Sequence, residues 1–152
     1  MDNAFVAINS EDALFRRWLG AWDPNRATSV TNILTQVENI WGTQTIRCLP
    51  TGPYATAAPA NNAINAFNNS WWNNTLGGSY PTFQGSAGGQ ADTLIHELAH
   101  FFGASDDCYG PACLNLAQSN SAAAVNTAAS IQCFVADNYV AQIAPVFDVQ
   151  YL

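Results

Sequence analysis

The two histidines of the chain lie four residues apart, in the segment His96-Glu97-Leu98-Ala99-His100. Side chains at positions i and i+4 of an α-helix lie one above the other on the same face. His96 and His100 can therefore bind one zinc ion from a single helix, and Glu97 can reach a water molecule on that zinc. The alternative is a helix that carries this pattern by chance. Because the chain has no third histidine and is only 10% charged, the pattern predicts a zinc site.

A catalytic zinc keeps three protein ligands and one open position, so one ligand remains to be found. Asp106 and Asp107 are the candidates, because no further acidic residue occurs before Asp137. The spacing from the histidines through Gly103 to Asp106 also fits the H-x-x-x-H-x-x-G-x-x-D pattern of metzincins. Met1 is the only methionine, however, so the methionine turn of that family cannot form. At this point both aspartates remain open as the third ligand.

A longer segment around these aspartates carries a family resemblance. The sequence Gly103-Ala104-Ser105-Asp106-Asp107-Cys108-Tyr109-Gly110 resembles the G-T-x-D-x-x-Y-G signature of the aspzincins, which include deuterolysin and peptidyl-lysine metalloendopeptidase. The resemblance implies that the zinc ligands are His96, His100 and Asp106. It also implies that Glu97 is the general base and that Tyr109 assists the oxyanion. The chain departs from the family in a shorter linker before Asp106 and in Ala104, where the signature has threonine.

The activity that the resemblance implies is hydrolysis of peptide bonds by a zinc metalloendopeptidase. Glu97 would take a proton from the zinc-bound water and pass it to the leaving amine. Tyr109 would donate a hydrogen bond to the tetrahedral oxyanion, with a core-packing role as the alternative. We expect a peptide substrate to add as a strand along the edge formed near Ala63–Phe67, through main-chain hydrogen bonds.

Two other functions compete with this interpretation. One is a zinc-binding host-interaction or scavenging protein, derived from such a peptidase and with little or no turnover. The other is a zinc hydrolase that acts on a non-peptide amide. Glu97 favours an enzyme, because a zinc scavenger needs no general base.

The substrate preference is predicted from the helix that follows the Tyr109-Gly110 pair. In lysine-selective members of the family this helix carries acidic side chains, which line the pocket for the residue after the cut. The chain has Ala129 or Ser130, and Gln132, at the corresponding places. A buried lysine ammonium without a counter-charge is unfavourable by several kcal/mol. The sequence therefore predicts a neutral pocket and no specificity for lysine.

Composition limits the class of protein and its partners. The 152 residues and the 49% hydrophobic content fit a single domain, 1–152, with a packed core. With a net charge of −7 and four basic residues, all arginine, binding to nucleic acid is disfavoured. No apolar run approaches the ~18 residues of a membrane span. We expect a monomer that acts on a protein or peptide substrate, without a membrane partner.

The four cysteines, Cys48, Cys108, Cys113 and Cys133, indicate a secreted protein with two disulfides. Cys108 and Cys113 close a short loop, which leaves Cys48 to pair with Cys133. The sequons that begin at Asn68 and Asn73 agree with an extracellular location. The first residues show no signal-peptide pattern, and the single methionine at position 1 suits an initiator added to a processed domain.

Capping residues and apolar spacing predict the elements. We expect helices over about 11–19, capped by Ser10, and over 24–41, followed by a strand over 45–49. Residues 54–67 suggest a hairpin, with a helical alternative, and 68–89 a long loop. The motif helix is expected over 90–102, with further helices over 112–119 and 122–138. The predicted fold class is α+β: a mainly helical, zincin-like metallopeptidase domain with a small sheet and the H-E-x-x-H helix at a cleft.

Overall fold

The computed structural model describes residues 2–9, 13–50, 55–67 and 87–147. Predominantly helical, it also contains one small mixed sheet of three strands. The α+β prediction is confirmed. In chain order the elements are α1 (Asp2–Asn9), α2 (Ala13–Leu19), α3 (Pro24–Ile40), β1 (Thr45–Leu49), β2 (Ala55–Ala58), β3 (Ala63–Phe67), α4 (Ala87–Phe101), α5 (Ala112–Ser119), α6 (Ser121–Ala124) and α7 (Ala128–Phe147).

Helix α3 begins where the sequence predicts, because Asp23 caps its first turn. The Asp23 Oδ1 atom accepts hydrogen bonds from the backbone N–H groups of Asn25, at 2.9 Å, and Arg26, at 3.2 Å. These bonds satisfy two of the N–H groups that a helix start leaves without an intrahelical partner. The apolar face of the helix is buried in the core through Ala27, Val30, Ile33, Leu34 and Val37.

Over residues 55–67, which the structure describes, the sheet confirms the predicted hairpin and excludes the helical alternative. Strand β3 lies in the centre, parallel to β1 and antiparallel to β2. A 3₁₀ turn over Pro59–Asn61 joins β2 to β3, and Asn62 follows in the left-handed conformation with φ of 46°, which asparagine tolerates better than most residues.

The expected substrate edge at Ala63–Phe67 is wrong. This segment is β3, and both of its sides are hydrogen-bonded to neighbouring strands. The edges of the sheet are β1 and β2. Of the two edge strands, β2 packs against α4. The error arises because strand order depends on non-local pairing, which alternation of residue types does not encode.

The core lies where α7 packs against α4 and α2. Phe134 of α7 meets Phe15 of α2 edge-to-face, with ring centroids 5.9 Å apart, and both side chains are fully buried. Burial of each ring stabilises the fold by about 1.5–3 kcal/mol. The packing of α7 on α4 holds the helix that carries the histidines.

Several predicted boundaries need correction. The short helix α1 was not predicted. The expected helix over 122–138 is divided into α6 and α7, and α7 continues to Phe147. Helix α4 starts at Ala87, inside the expected loop. The predicted cap at Ser10, the sequons and most of the 68–89 loop lie outside the described residues.

Among the helices in the described part of the chain, none is both long and apolar enough to cross a membrane.

Candidate metal centre

Three side chains from α4 and the loop after it converge on one point. The Nε2 atoms of His96 and His100 lie 3.2 Å apart. The Oδ1 atom of Asp106 lies 3.2 Å from the His96 Nε2 atom and 3.4 Å from that of His100. Ligands bound tetrahedrally to zinc at about 2.0–2.1 Å are separated by about 3.3–3.4 Å. The three atoms therefore have the separations that a zinc ion requires.

The two histidine rings are held with these nitrogens facing each other. The Nδ1 atom of His96 lies 2.9 Å from Oε1 of Gln132, and Nδ1 of His100 lies 2.8 Å from the backbone oxygen of Ala104. Both partners are acceptors, so in a neutral imidazole the proton lies on Nδ1 and the lone pair on Nε2. Two lone pairs and a carboxylate oxygen at this distance repel one another unless a cation lies between them.

Burial further favours the unprotonated imidazole that metal binding needs. His96 is only 7% exposed, and burial, followed by the neighbouring His100, lowers its pKa. Asp106 and Gln132 act in the opposite direction. Among the described residues, His96, His100 and Asp106 form the group of histidine, cysteine or acidic side chains close enough to share a metal ion.

The loop that carries Asp106 is tied to the start of α7. Gly103 has a φ of 88°, which is accessible to glycine at little cost, and it turns the chain out of α4. Ser105 then pairs with Thr127 in a short bridge, in which the Ser105 N–H donates to Asn126 and the Ala128 N–H donates to Ser105. This bridge fixes the backbone next to Asp106.

Asp107, the other candidate for the third ligand, strengthens the same attachment. Its Oδ2 atom accepts hydrogen bonds from the hydroxyls of Ser105, at 2.6 Å, and Thr127, at 3.2 Å. The geometry therefore separates the two aspartates: Asp106 faces the histidines, and Asp107 holds the loop.

A disulfide holds the far end of the loop, and the second predicted disulfide is absent. Cys108 and Cys113 are joined, as predicted. The predicted pairing of Cys48 with Cys133 is wrong. Cys48 lies exposed on the edge strand β1, whereas Cys133 is enclosed in the core on α7, so the two sulfurs do not meet.

Glu97 lies beside the cluster and receives a hydrogen bond from the sheet. The backbone of Ala57, on β2, bonds to its carboxylate and lowers its pKa, so the Ala57 N–H is the donor. Burial, and to a smaller extent the charge of Asp106, raises the pKa of Glu97. These effects outweigh His100 and the Ala57 bond, which lower it, and the resulting pKa is about 7. A carboxyl group with this pKa can both accept and release a proton near neutrality.

Tyr109 stacks on the ring of His96, with centroids 5.8 Å apart and planes inclined by 25°. It is 60% exposed, so it is not the core-packing residue of the alternative interpretation. Partial desolvation, a hydrogen bond to Asp106 and the negative charges of Asp106 and Glu97 raise its pKa to about 12. The hydroxyl therefore keeps its proton at neutral pH and can act as a donor.

The residues that the family resemblance assigns to the specificity pocket are all buried. Ala129 and Ser130 are fully buried, and the Ser130 hydroxyl lies 3.5 Å from the Cys108 sulfur. Gln132 contacts His96 instead. Asp137 accepts a hydrogen bond from the indole of Trp18 and lies 3.5 Å from Arg17.

Two contacts at the site were missed by sequence reasoning. The Ala57 N–H is a backbone donor, which residue type does not reveal. The bond between Gln132 and His96 joins two helices 36 positions apart in sequence, and no local pattern signals it.

Zinc peptidases of the H-E-x-x-H type place two helical histidines and a glutamate base in this way. Within that class the chain belongs to the aspzincin family, because the model of this family, described as lysine-specific metallo-endopeptidase, matches residues 4–136. The recognised resemblance is thereby confirmed.

A solved structure shares the fold. It is a zinc peptidase from Grifola frondosa, with a TM-score of 0.74 and 23% sequence identity, and the match covers 91% of this chain and 86% of that one. No curated protein matches the chain. Family and fold together identify a zinc metallopeptidase.

Proposed function

We propose that the protein is a secreted zinc metalloendopeptidase in which His96, His100 and Asp106 hold the metal. The observation that carries this proposal is the set of ligand-atom separations, 3.2, 3.2 and 3.4 Å. Although the linker before Asp106 is shorter than in the family signature, the carboxylate oxygen reaches both histidines. Zinc bound there would supply Lewis acidity, which polarises a carbonyl oxygen and acidifies a water molecule.

Glu97 is the general base of the proposed mechanism. It takes a proton from the attacking water and delivers this proton to the amine that leaves. Burial raises its pKa above that of a solvent-exposed glutamate, which makes the carboxylate a stronger base. The Ala57 N–H holds the carboxylate against β2, so its orientation is fixed before the substrate binds.

Tyr109 donates a hydrogen bond to the carbonyl oxygen as negative charge develops on it. Its hydroxyl already makes a hydrogen bond with Asp106 and therefore lies within reach of the proposed metal position. The stacking on His96 orients the ring, while its exposure leaves room for a substrate beside it.

We further propose that the peptidase is not specific for lysine, although the family description names lysine. Asp107 and Asp137 are the two carboxylates nearest in sequence that could replace an acidic pocket. Asp107 is bound by two hydroxyls of the loop, and Asp137 by Trp18 and Arg17. Both carboxylates are thus engaged by groups of the protein itself.

Secretion is supported by the Cys108–Cys113 disulfide, because such bonds persist mainly in oxidising compartments. The four-arginine composition and net charge of −7 agree with a protein that acts on peptides and not on nucleic acid.

The test compares the chelator-treated protein with the same protein after stoichiometric zinc is restored. Each is incubated with a denatured protein mixture, and new termini are identified by mass spectrometry. We expect new internal termini only with zinc. Zinc binding at one ion per chain without any new termini would instead support the scavenging function, and cleavage that survives chelation would contradict both.

A further inference from the structure

The side chain of Gln132 joins α7 to the proposed metal centre. Its Oε1 atom lies 2.9 Å from the Nδ1 atom of His96. Gln132 is 4% exposed and His96 is 7% exposed, so water does not compete effectively for this hydrogen bond. A buried hydrogen bond of this kind fixes both partners.

The direction of the bond decides which nitrogen of His96 is available. An amide oxygen only accepts, so the proton lies on Nδ1 and the lone pair on Nε2. The Nε2 atom then faces His100 Nε2 at 3.2 Å and Asp106 Oδ1 at 3.2 Å. In the other tautomer a proton on Nε2 would point into this space, and His96 could not be a ligand.

We propose that Gln132 is a positioning residue that sets the tautomer and ring orientation of His96, and thereby the zinc affinity of the site. The inference rests on the proposed function, because it requires His96 to bind zinc. His100 differs, since its Nδ1 partner is the backbone oxygen of Ala104, on the loop just after its own helix. The orientation of His96 depends instead on how α7 packs against α4.

This role differs from the one that the family resemblance implies for Gln132, which is to line the specificity pocket. The oxygen that would face a substrate side chain is engaged with His96. Partners of metal-bound histidines commonly change metal affinity by about 10–100-fold when they are replaced. An effect on metal binding, and not on substrate choice, is therefore the expected signature.

The experiment uses the full chain and four variants. Gln132→Met keeps the approximate length and removes the acceptor, Gln132→Asn keeps an amide that is one methylene too short, and Gln132→Glu keeps an acceptor oxygen. The matched control is Asn138→Leu, which also removes a buried amide from α7. Its Nδ2 atom donates 2.8 Å to the backbone oxygen of Phe134, one turn earlier in the same helix.

Three quantities are measured on metal-free protein: the melting temperature, the zinc dissociation constant by competition with a chromophoric chelator, and the absorption spectrum with cobalt. We expect Gln132→Met and Asn138→Leu to lower the melting temperature similarly. The Met and Asn variants at 132 should weaken zinc binding by about 10–100-fold and change the cobalt bands. Gln132→Glu should bind zinc at least as tightly as the unaltered protein. Asn138→Leu should bind zinc with the same affinity as the unaltered protein.

Results against the role of Gln132 differ from results against the proposed peptidase function. If Gln132→Met does not fold, Gln132→Asn still decides, because it retains a polar amide in the same place. Zinc binding by Gln132→Asn equal to that of the unaltered protein would overturn the inference and leave the peptidase proposal intact. Failure of the unaltered protein to bind zinc would overturn both.

Discussion

The proposed chemistry depends on a few atoms whose surroundings give each a different role. Burial lowers the pKa of His96, and the outer nitrogens of both histidines are hydrogen-bonded to acceptor oxygens. Glu97 is nearby, and its carboxylate accepts a hydrogen bond from the backbone of β2. The proposed set of three ligands and a separate base would leave one position at the metal for water, as catalytic zinc sites require.

Replacement of Glu97 by Gln is expected to abolish hydrolysis without loss of zinc. The amide has nearly the same shape but cannot accept the proton, so kcat should fall by at least about 10²-fold. The measurement is turnover of a fluorogenic peptide together with zinc content per chain. Glu38→Gln, at an exposed position of α3, is the matched control and should change neither. Near-normal turnover in Glu97→Gln would exclude Glu97 as the base.

Tyr109→Phe is expected to lower kcat and to change KM little, because its hydrogen bond strengthens in the transition state. Removal of one such donor costs about 10²–10³ in rate. The phenyl ring can keep the stacking on His96, so zinc content and melting temperature should remain unchanged. A rise in KM alone would place Tyr109 in ground-state binding instead.

Among the secondary-structure elements, strand β2 contacts the proposed general base, Glu97, through a backbone hydrogen bond. Ala57 pairs with Ile64 of β3 in the sheet, while its N–H bonds to Glu97. Because this N–H bonds to Glu97 and not to β3, its removal from the edge strand should weaken the pairing of β2 with β3 only slightly.

We therefore expect Ala57→Pro to reduce kcat more than it reduces stability. Loss of the donor leaves the Glu97 carboxylate less well oriented and raises its pKa further, since the bond lowers that pKa. Ala57→Gly retains the N–H and is the control. The comparison uses kcat, its pH profile and the melting temperature of both variants; equal activities would show that the bond is not needed.

The cysteine pairing gives a second prediction for the elements. In the folded, unreduced protein, an alkylating reagent should modify Cys48 on exposed β1 rapidly and Cys133 in the core only after unfolding. Cys108 and Cys113 should react only after reduction. Peptide mass spectrometry identifies each site. If Cys48 is not alkylated at all before reduction, the result would instead support a disulfide between Cys48 and Cys133.

For the whole molecule, the acidic charge and the engaged carboxylates lead to a prediction about substrates. The net charge of −7 should raise the encounter rate with basic peptides at low salt, but it does not select a particular bond. Cleavage-site profiling should therefore show little enrichment of lysine after the cut, at both low and high salt. Strong enrichment at both would mean that a carboxylate lines the pocket.

The sequence alone predicted the parts of the molecule that depend on neighbouring residues. The helix with His96, Glu97 and His100, the strand at 45–49 and the hairpin were correct because capping and apolar spacing act over a few positions. The short loop closed by Cys108 and Cys113 is similarly local. The family resemblance predicted Asp106 as the third ligand, and Asp106 faces the two histidines whereas Asp107 does not.

The tertiary structure decided everything that depends on distant segments coming together. Strand order made β2 an edge strand and placed Ala57 against Glu97, which no periodicity indicates. The packing of α7 on α4 brought Gln132 to His96, and Cys133 is enclosed in the core while Cys48 is exposed. Such pairings are chosen by the free energy of burying whole surfaces together, and that quantity is not a property of any short stretch of sequence.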